Sequence, residues 1–346
     1  MIQESYRWRS KSRGEAEARR LISRRTFLAG AAAVEVSPFD LSLLDTGVTP
    51  AELFFVREHF PAPAVDPVGW QLGVAGGGAG AFTIRHADFV KLARHALAAT
   101  LECAENPAGG GLVSHAEWEG VRLATIIELA KPGTGTQFVR LTGADGFARL
   151  LPIEKARQAD TLLAFRMNGE SLPPSHGAPV RAVIPGWYGV SSIKWISRVE
   201  LLAEAGAEAA GYRRGTRSLL AGVTQGEAVS RTLIKSVFSR PTDGAILYTR
   251  RFTLRGAAWA GESAVRSVEV STDGGRTWAG ARLAPTTAKY AWTHWAFDWK
   301  IPARGPFELI VRATDAAGLT QPGERDASRV DEYEHNHWHR IKVTAA

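Results

Sequence analysis

The sequence predicts an α+β domain followed by an immunoglobulin-like β-sandwich. Three observations carry this: a length suited to two domains, a mid-chain change in hydrophobic period, and seven evenly spaced strand-like runs after that change. At 346 residues the chain exceeds one ordinary domain of about 100–200 residues and falls short of four. From Phe39 to about Glu204, short strand-like runs alternate with helix-like ones, as in Phe138–Leu141 and then, after Pro152, Ile153–Ala159. Residues 203–226 are rich in Ala and Gly with few large apolar side chains, the composition of a connection. Strand-like runs then recur every 8–12 residues: Ala245–Tyr248, Phe252–Ala257, Ala264–Ser271, Arg276–Leu283, Trp292–Trp299, Phe307–Thr314 and Trp338–Val343. Between two of them Asp273-Gly274 supplies the positive φ of a hairpin turn. With no Cys in this half, Trp259, Trp278, Trp292, Trp295 and Trp299 are expected to pin its core. The organisation is therefore a basic leader over 1–40, a first domain over 41–208, a connection over 209–228 and a second domain over 229–346.

Composition removes several function classes. Hydrophobic residues at 45% and charged residues at 22% are globular values, and no run approaches the roughly 18 apolar residues of a membrane-spanning helix. The net charge of +7 invites a nucleic-acid reading, but residues 1–25 hold eight Arg/Lys against three Glu, leaving only +2 for residues 26–346. A nucleic-acid binder needs its cations on a folded face, so none is expected. In the leader, Ser23-Arg24-Arg25-Thr26-Phe27-Leu28 precedes the apolar stretch to Val34, the pattern of a twin-arginine export signal. A periplasmic location is expected, with cargo that acquires a cofactor before crossing. Glu35 cuts the apolar run short and no A-x-A cleavage site stands out, so a retained basic tail and a cytoplasmic location stay open.

Cys103 is the single cysteine, so no intramolecular disulfide exists. Alone, it reads as a small buried hydrophobe. Its surroundings say more. Four pieces recur in order: Phe54-Phe55-Val56-Arg57-Glu58-His59; Thr100-Leu101-Glu102-Cys103-Ala104-Glu105-Asn106; Met167-Asn168-Gly169-Glu170 running through Pro173-Pro174-Ser175-His176-Gly177 to Arg181; and Pro185-Gly186-Trp187-Tyr188-Gly189-Val190-Ser191-Ser192-Ile193-Lys194-Trp195. Followed by Val268-Glu269-Val270-Ser271-Thr272-Asp273-Gly274-Gly275-Arg276-Thr277-Trp278, they resemble the sulfite oxidase family of molybdopterin-dependent oxidoreductases over residues 45–346.

The resemblance implies a sulfite oxidase-type molybdopterin-binding domain followed by the immunoglobulin-like sandwich as dimerisation domain, and a molybdenum-molybdopterin cofactor. It makes Cys103 the protein ligand to molybdenum, which suits a soft thiolate. It assigns cofactor binding to Phe55, Arg57, His59, Asp145, His176, Arg181, Ser192, Ile193 and Lys194, with Arg57 also catalytic. Taken singly, Arg57 reads equally as a surface ion pair, Asp145 as a turn former and His176 as a loop histidine. The implied active-site tyrosine falls on Tyr212, with Tyr188 second. The implied chemistry is two-electron oxygen-atom transfer to sulfite or a related small sulfur compound or oxyanion. Its alternatives are reduction of a sulfoxide on the same scaffold, or a scaffold that binds cofactor with little turnover.

The chain also departs from the family pattern. After Cys103 the family carries Gly and a pair of arginines that help clamp an anionic substrate, whereas here Ala104-Glu105-Asn106-Pro107 leads into Gly109-Gly110-Gly111. A carboxylate beside a dianion's route repels it unless it turns outward. A further family arginine finds only Arg329, out of register. His335, His337 and His339 have the spacing of one strand face and are read as a polar face rather than a metal site. Without a Cys-x-x-Cys-His motif or further cysteines, no haem or iron–sulfur cluster is expected in this chain. Electrons are expected to pass to a separate c-type cytochrome or quinone-linked partner, and the chain to form a homodimer through its C-terminal domain.

Overall fold

The computed structural model describes residues 35–44, 47–205, 213–218, 222–286 and 288–346. Two five-stranded sheets enclose the core of the first domain. One runs in the order Phe82–Arg85, Gln71–Ala75, Ile196–Leu202, Phe138–Gly143, Ala148–Pro152. The other runs Glu170–Ser171, Leu162–Met167, Val113–Arg122, Arg94–Glu102, with Arg181–Val183 also paired to Leu162–Met167. The alternation in Phe138–Gly143 is borne as pleat: Val139 and Leu141 point inward and are fully buried. They meet Leu72, Val74, Val121 and Val199. The helix Leu123–Leu129 buries Leu123, Ile126 and Ile127, one face at three- and four-residue spacing. Gly120 sits at a register shift between Val113–Arg122 and Leu162–Met167, where a Cβ would lie 2.2 Å from the Leu163 carbonyl oxygen.

The second domain is a sandwich of a four-stranded sheet (Lys235–Arg240, Arg251–Trp259, Thr293–Lys300, Arg282–Leu283) and a five-stranded one (Ile246–Leu247, His339–Ala345, Gly305–Asp315, Val265–Ser271, Ala279–Gly280). The strand Lys235–Arg240 lies outside the sequence expectation. The run expected over Arg276–Leu283 forms two short strands, Ala279–Gly280 and Arg282–Leu283, one in each sheet. Gly274 and Gly275 take positive φ in the expected turn, and Asp273 accepts from the Arg276 and Thr277 N–H groups. Of the five tryptophans, Trp295 and Trp299 fill the sandwich core with Leu254, Val268, Leu309 and Ile341. Trp259 and Trp292 instead face the first domain, in a cluster with Phe39, Leu44 and Val113. Trp278 is half-buried, packed on Trp338 at 4.9 Å and under Arg312 at 4.0 Å.

Two boundaries differ from the expectation. Residues 35–40, read as the end of the leader, belong to the folded body: Val36–Ser37 pairs with Val56–Arg57, and Phe39 is buried. Within the expected connection, Arg213–Ser218 and Gly222–Ala228 pair as antiparallel strands. The twin arginines lie outside the described residues. No helix among the described residues is long and apolar enough to cross a membrane.

The two domains are joined by buried polar bonds as well as by the tryptophans. Lys235 Nζ donates to Glu102 Oε1 at 2.6 Å and to the Asn106 carbonyl at 2.8 Å. Trp259 Nε1 donates to Glu102 Oε2 at 2.7 Å, and Asn106 Nδ2 to Glu102 Oε1 at 3.0 Å. The Thr100 N–H donates to the Tyr290 carbonyl at 2.9 Å. The interface thus ends directly beside Cys103.

Candidate active site

Cys103 is the first residue beyond the long strand Arg94–Glu102, and its loop is closed by its own backbone. The Cys103 N–H donates to the Leu112 carbonyl at 2.9 Å and the Asn106 N–H to the Cys103 carbonyl at 3.0 Å. Asn106 Oδ1 accepts from the Leu112 N–H at 2.9 Å. Gly111 allows the turn back to meet the N-terminal segment: a Cβ there would lie 2.0 Å from the Phe39 carbonyl oxygen. With Glu102 clamped on one side and Asn106 on the other, the thiol has a fixed direction.

That direction is into a cleft of about 840 Å³, solvent at its open mouth included. The structure brings Phe55, Arg57, His59, Cys103, Asp145, His176, Arg181, Ser192, Ile193 and Lys194 to its walls. Each wall is a separate piece of chain. Phe55 is held by its N–H on Ser114 Oγ at 3.1 Å, and the His59 ring packs on Phe147 at 4.9 Å. Asp145 closes a turn by accepting from the Phe147 N–H at 3.0 Å. Burial raises its pKa, with Lys194 and His59 acting against that. His176 Nε2 donates to the Ala51 carbonyl at 2.7 Å, and burial lowers its pKa to about 4, which keeps the ring neutral.

Arg181 and Lys194 carry the charge of the deep wall. Arg181 is 5% exposed, and its guanidinium hydrogen bonds run to the carbonyls of His176, Ala182 and Ser192, none of them an anion. Burial alone pulls its pKa down, the mark of a cation that an anionic ligand would stabilise. Lys194 Nζ donates to Glu58 Oε1 at 3.2 Å and the Ser175 carbonyl at 3.0 Å, and lies 4.4 Å from the Trp195 ring centre. Burial lowers its pKa to about 8, and Glu58 acts to raise it. Ser192 Oγ accepts from the Ile184 N–H at 3.0 Å.

The mouth holds a second ion pair. Arg57 Nε donates to Glu105 Oε2 at 2.9 Å and a second guanidinium nitrogen to Glu105 Oε1 at 3.2 Å, a bidentate pair with side chains 29% and 31% exposed. Glu105 therefore turns into the cleft. The Cys103 pKa is raised to about 11, first by burial and then by Glu105 and Glu102, with a Glu105 backbone hydrogen bond and Arg57 acting the other way. A bound cation overrides this, since metal coordination deprotonates a thiol outright.

Other sequence expectations land elsewhere. Tyr212 lies outside the described residues. Tyr188 does not line the cleft: it is 2% exposed and its hydroxyl accepts from the Leu233 N–H at 3.3 Å. Arg329 pairs with Asp331 at 2.7 Å and Glu334 at 3.2 Å, away from the cleft wall. His339 lies on the strand His339–Ala345 with Nδ1 accepting from the Phe238 N–H, while His335 and His337 precede that strand. Sequence reasoning missed the role of Glu58, the buried partner of Lys194. Glu58 lies inside the run Phe54–His59, but its pairing with Lys194, 136 residues away, is made by the fold.

The site fits molybdenum-molybdopterin in kind: one soft thiol at the wall, a buried guanidinium among carbonyls, a second cation and a neutral imidazole. Fold and cleft together define a cofactor-binding oxidoreductase domain carrying a sandwich. Comparison agrees: residues 59–209 match the oxidoreductase molybdopterin binding domain and residues 227–346 the Mo-co oxidoreductase dimerisation domain. The chain is 31% identical to sulfite oxidase of Gallus gallus over 317 residues, covering 81% of this chain and 69% of that one. It is 31% identical to mitochondrial sulfite oxidase of Mus musculus over 338 residues, covering 86% of this chain and 61% of that one. The crystal structure of the sulfane dehydrogenase SoxCD from Paracoccus pantotrophus shares the fold, with a TM-score of 0.83 over 99% of this chain and 93% of that one at 23% identity. The chain belongs to the sulfite oxidase family of molybdopterin-dependent oxidoreductases.

Proposed function

We propose that the chain oxidises sulfite or a related small sulfur compound by two electrons, using molybdenum-molybdopterin held in the Cys103 cleft. The carrying observation is the placement of the Cys103 thiol at the end of a clamped strand, on the wall of a cleft whose deep side presents Arg181 and Lys194. When bound, the cofactor supplies the oxygen-atom transfer; for sulfite, water and substrate give sulfate, two protons and two electrons. The chain's own residues bind and orient. Cys103 is the metal ligand. Arg181, Lys194, Ser192 and His176, with the backbone at Ile193, are the donors for the cofactor's phosphate and pterin edge. Phe55, His59 and Asp145 shape the remaining wall. Arg57 stands at the mouth, where substrate enters beside Cys103.

The electrons go to a separate carrier of the c-type cytochrome kind, and the second domain joins two copies of the chain. The Arg24-Arg25 leader directs export to the periplasm. Holoenzyme assayed with sulfite and ferricyanide, and separately with reduced dye and a sulfoxide, tests the direction. Sulfite-dependent ferricyanide reduction is expected. Turnover confined to the sulfoxide reaction would mean a reductase, and metal-loaded protein inert in both and toward other small sulfur compounds would mean a scaffold.

A further inference from the structure

We infer that Glu105 sets the charge of the substrate the cleft accepts, favouring an uncharged sulfur compound, of the thioether class, over a dianion. The inference rests on the sulfur-oxidising reading above and narrows its substrate. Three cations, Arg57, Arg181 and Lys194, line the cleft, and three carboxylates, Glu58, Glu105 and Asp145, line it with them. The charges are not spread evenly with depth. Arg181 is 5% exposed and the Lys194–Glu58 pair is 13% and 3% exposed in its side chains, so they face the deep wall. Arg57 and Glu105, at 29% and 31%, stand at the mouth.

Glu105 lies two residues beyond Cys103 on the same loop and Arg57 is bonded to it, all three on the cleft wall, while Glu102 is the carboxylate on the other side of Cys103. Glu102 is fully engaged by Lys235, Trp259 and Asn106. The charge that an incoming molecule meets beside Cys103 is therefore that of the Arg57–Glu105 pair, which is bidentate and neutral overall. A dianion there must break the pair or approach a carboxylate; an uncharged sulfur compound does neither. Of the lining not assigned to the cofactor, the partly buried Phe147 and Val190 supply apolar surface. Oxidation of a thioether balances as that of sulfite does. Sulfur gains the oxygen of water, two protons are released, and two electrons pass to ferricyanide in the assay.

The test uses molybdenum-loaded holoenzyme, unaltered and as Glu105→Gln, Glu105→Gly and Glu105→Asp, with metal content measured on each. Sulfate binding is read by calorimetry, and kcat/KM for sulfite and for dimethyl sulfide with ferricyanide. Removing the carboxylate, as Gln or as Gly, is expected to tighten sulfate binding about tenfold and to shift the selectivity ratio toward sulfite by a similar factor. Glu105→Asp keeps the charge and is expected to do neither. Sulfate affinity unchanged within about twofold in the metal-loaded Gln or Gly protein, or unaltered enzyme that prefers sulfite to dimethyl sulfide, overturns the inference. Sulfate binding reads the charge of the mouth without turnover, so an enzyme that oxidises neither compound but gains sulfate affinity refutes the sulfur-oxidising reading and leaves the role of Glu105 standing.

Discussion

Replacing Lys235 with Met is expected to cost about 3–5 kcal/mol of stability. Lys235 and Glu102 are 3% and 2% exposed, with 2.6 Å between their charged atoms. Removing the cation strands the Glu102 carboxylate between the domains, with Trp259 and Asn106 as its remaining donors. Thermal unfolding followed by circular dichroism should show the midpoint falling on the order of 10 °C. Adding Glu102→Gln should recover part of the loss, because no charge is left buried and the amide oxygen still accepts from Trp259, while the amide nitrogen can no longer accept from Asn106. A single variant within about 1 kcal/mol of the unaltered protein would mean that water or a rearranged partner reaches Glu102. Because Glu102 precedes Cys103, the single variant should also load less molybdenum.

Cys103→Ser should abolish sulfur-compound oxidation while leaving the fold in place. The loss should exceed the roughly 10–100-fold that removal of an outer partner of a metal ligand costs, since the proposed ligand itself is gone. Stability of the apo-protein should change by about 1 kcal/mol or less, because Ser is close in size and the residue is 9% exposed at the cleft wall. Matching circular dichroism spectra with turnover lost is the expected pair of results. Retained turnover in the Ser variant would place the metal elsewhere.

Much of this was legible in the residues. The strand Phe138–Gly143 declared itself by period two, and the sandwich by its recurrent short strands and the Asp273-Gly274 turn. The cleft residues other than Asp145 and Phe147 were legible as four segments whose residue types repeat a family pattern, and the fold draws those segments together around Cys103. What local pattern does not carry is pairing at long separation. Lys235 and Glu102 are 133 residues apart, and the strand Lys235–Arg240 has only two apolar residues, Val237 and Phe238, to mark it. Trp259 and Trp292 look like sandwich core because large aromatics are core residues by composition; their placement against Phe39 follows from how the domains dock. Whether Glu105 faced inward also depended on a distant residue, Arg57, of the strand Val56–Arg57.

The most direct measurement is the metal and pterin content of the chain purified from a host that makes molybdopterin. The account predicts about one molybdenum and one pterin per chain, with both lost together in the Arg181→Ala protein, whose deep wall lacks its guanidinium. Protein that folds and emerges without molybdenum from such a host would contradict it.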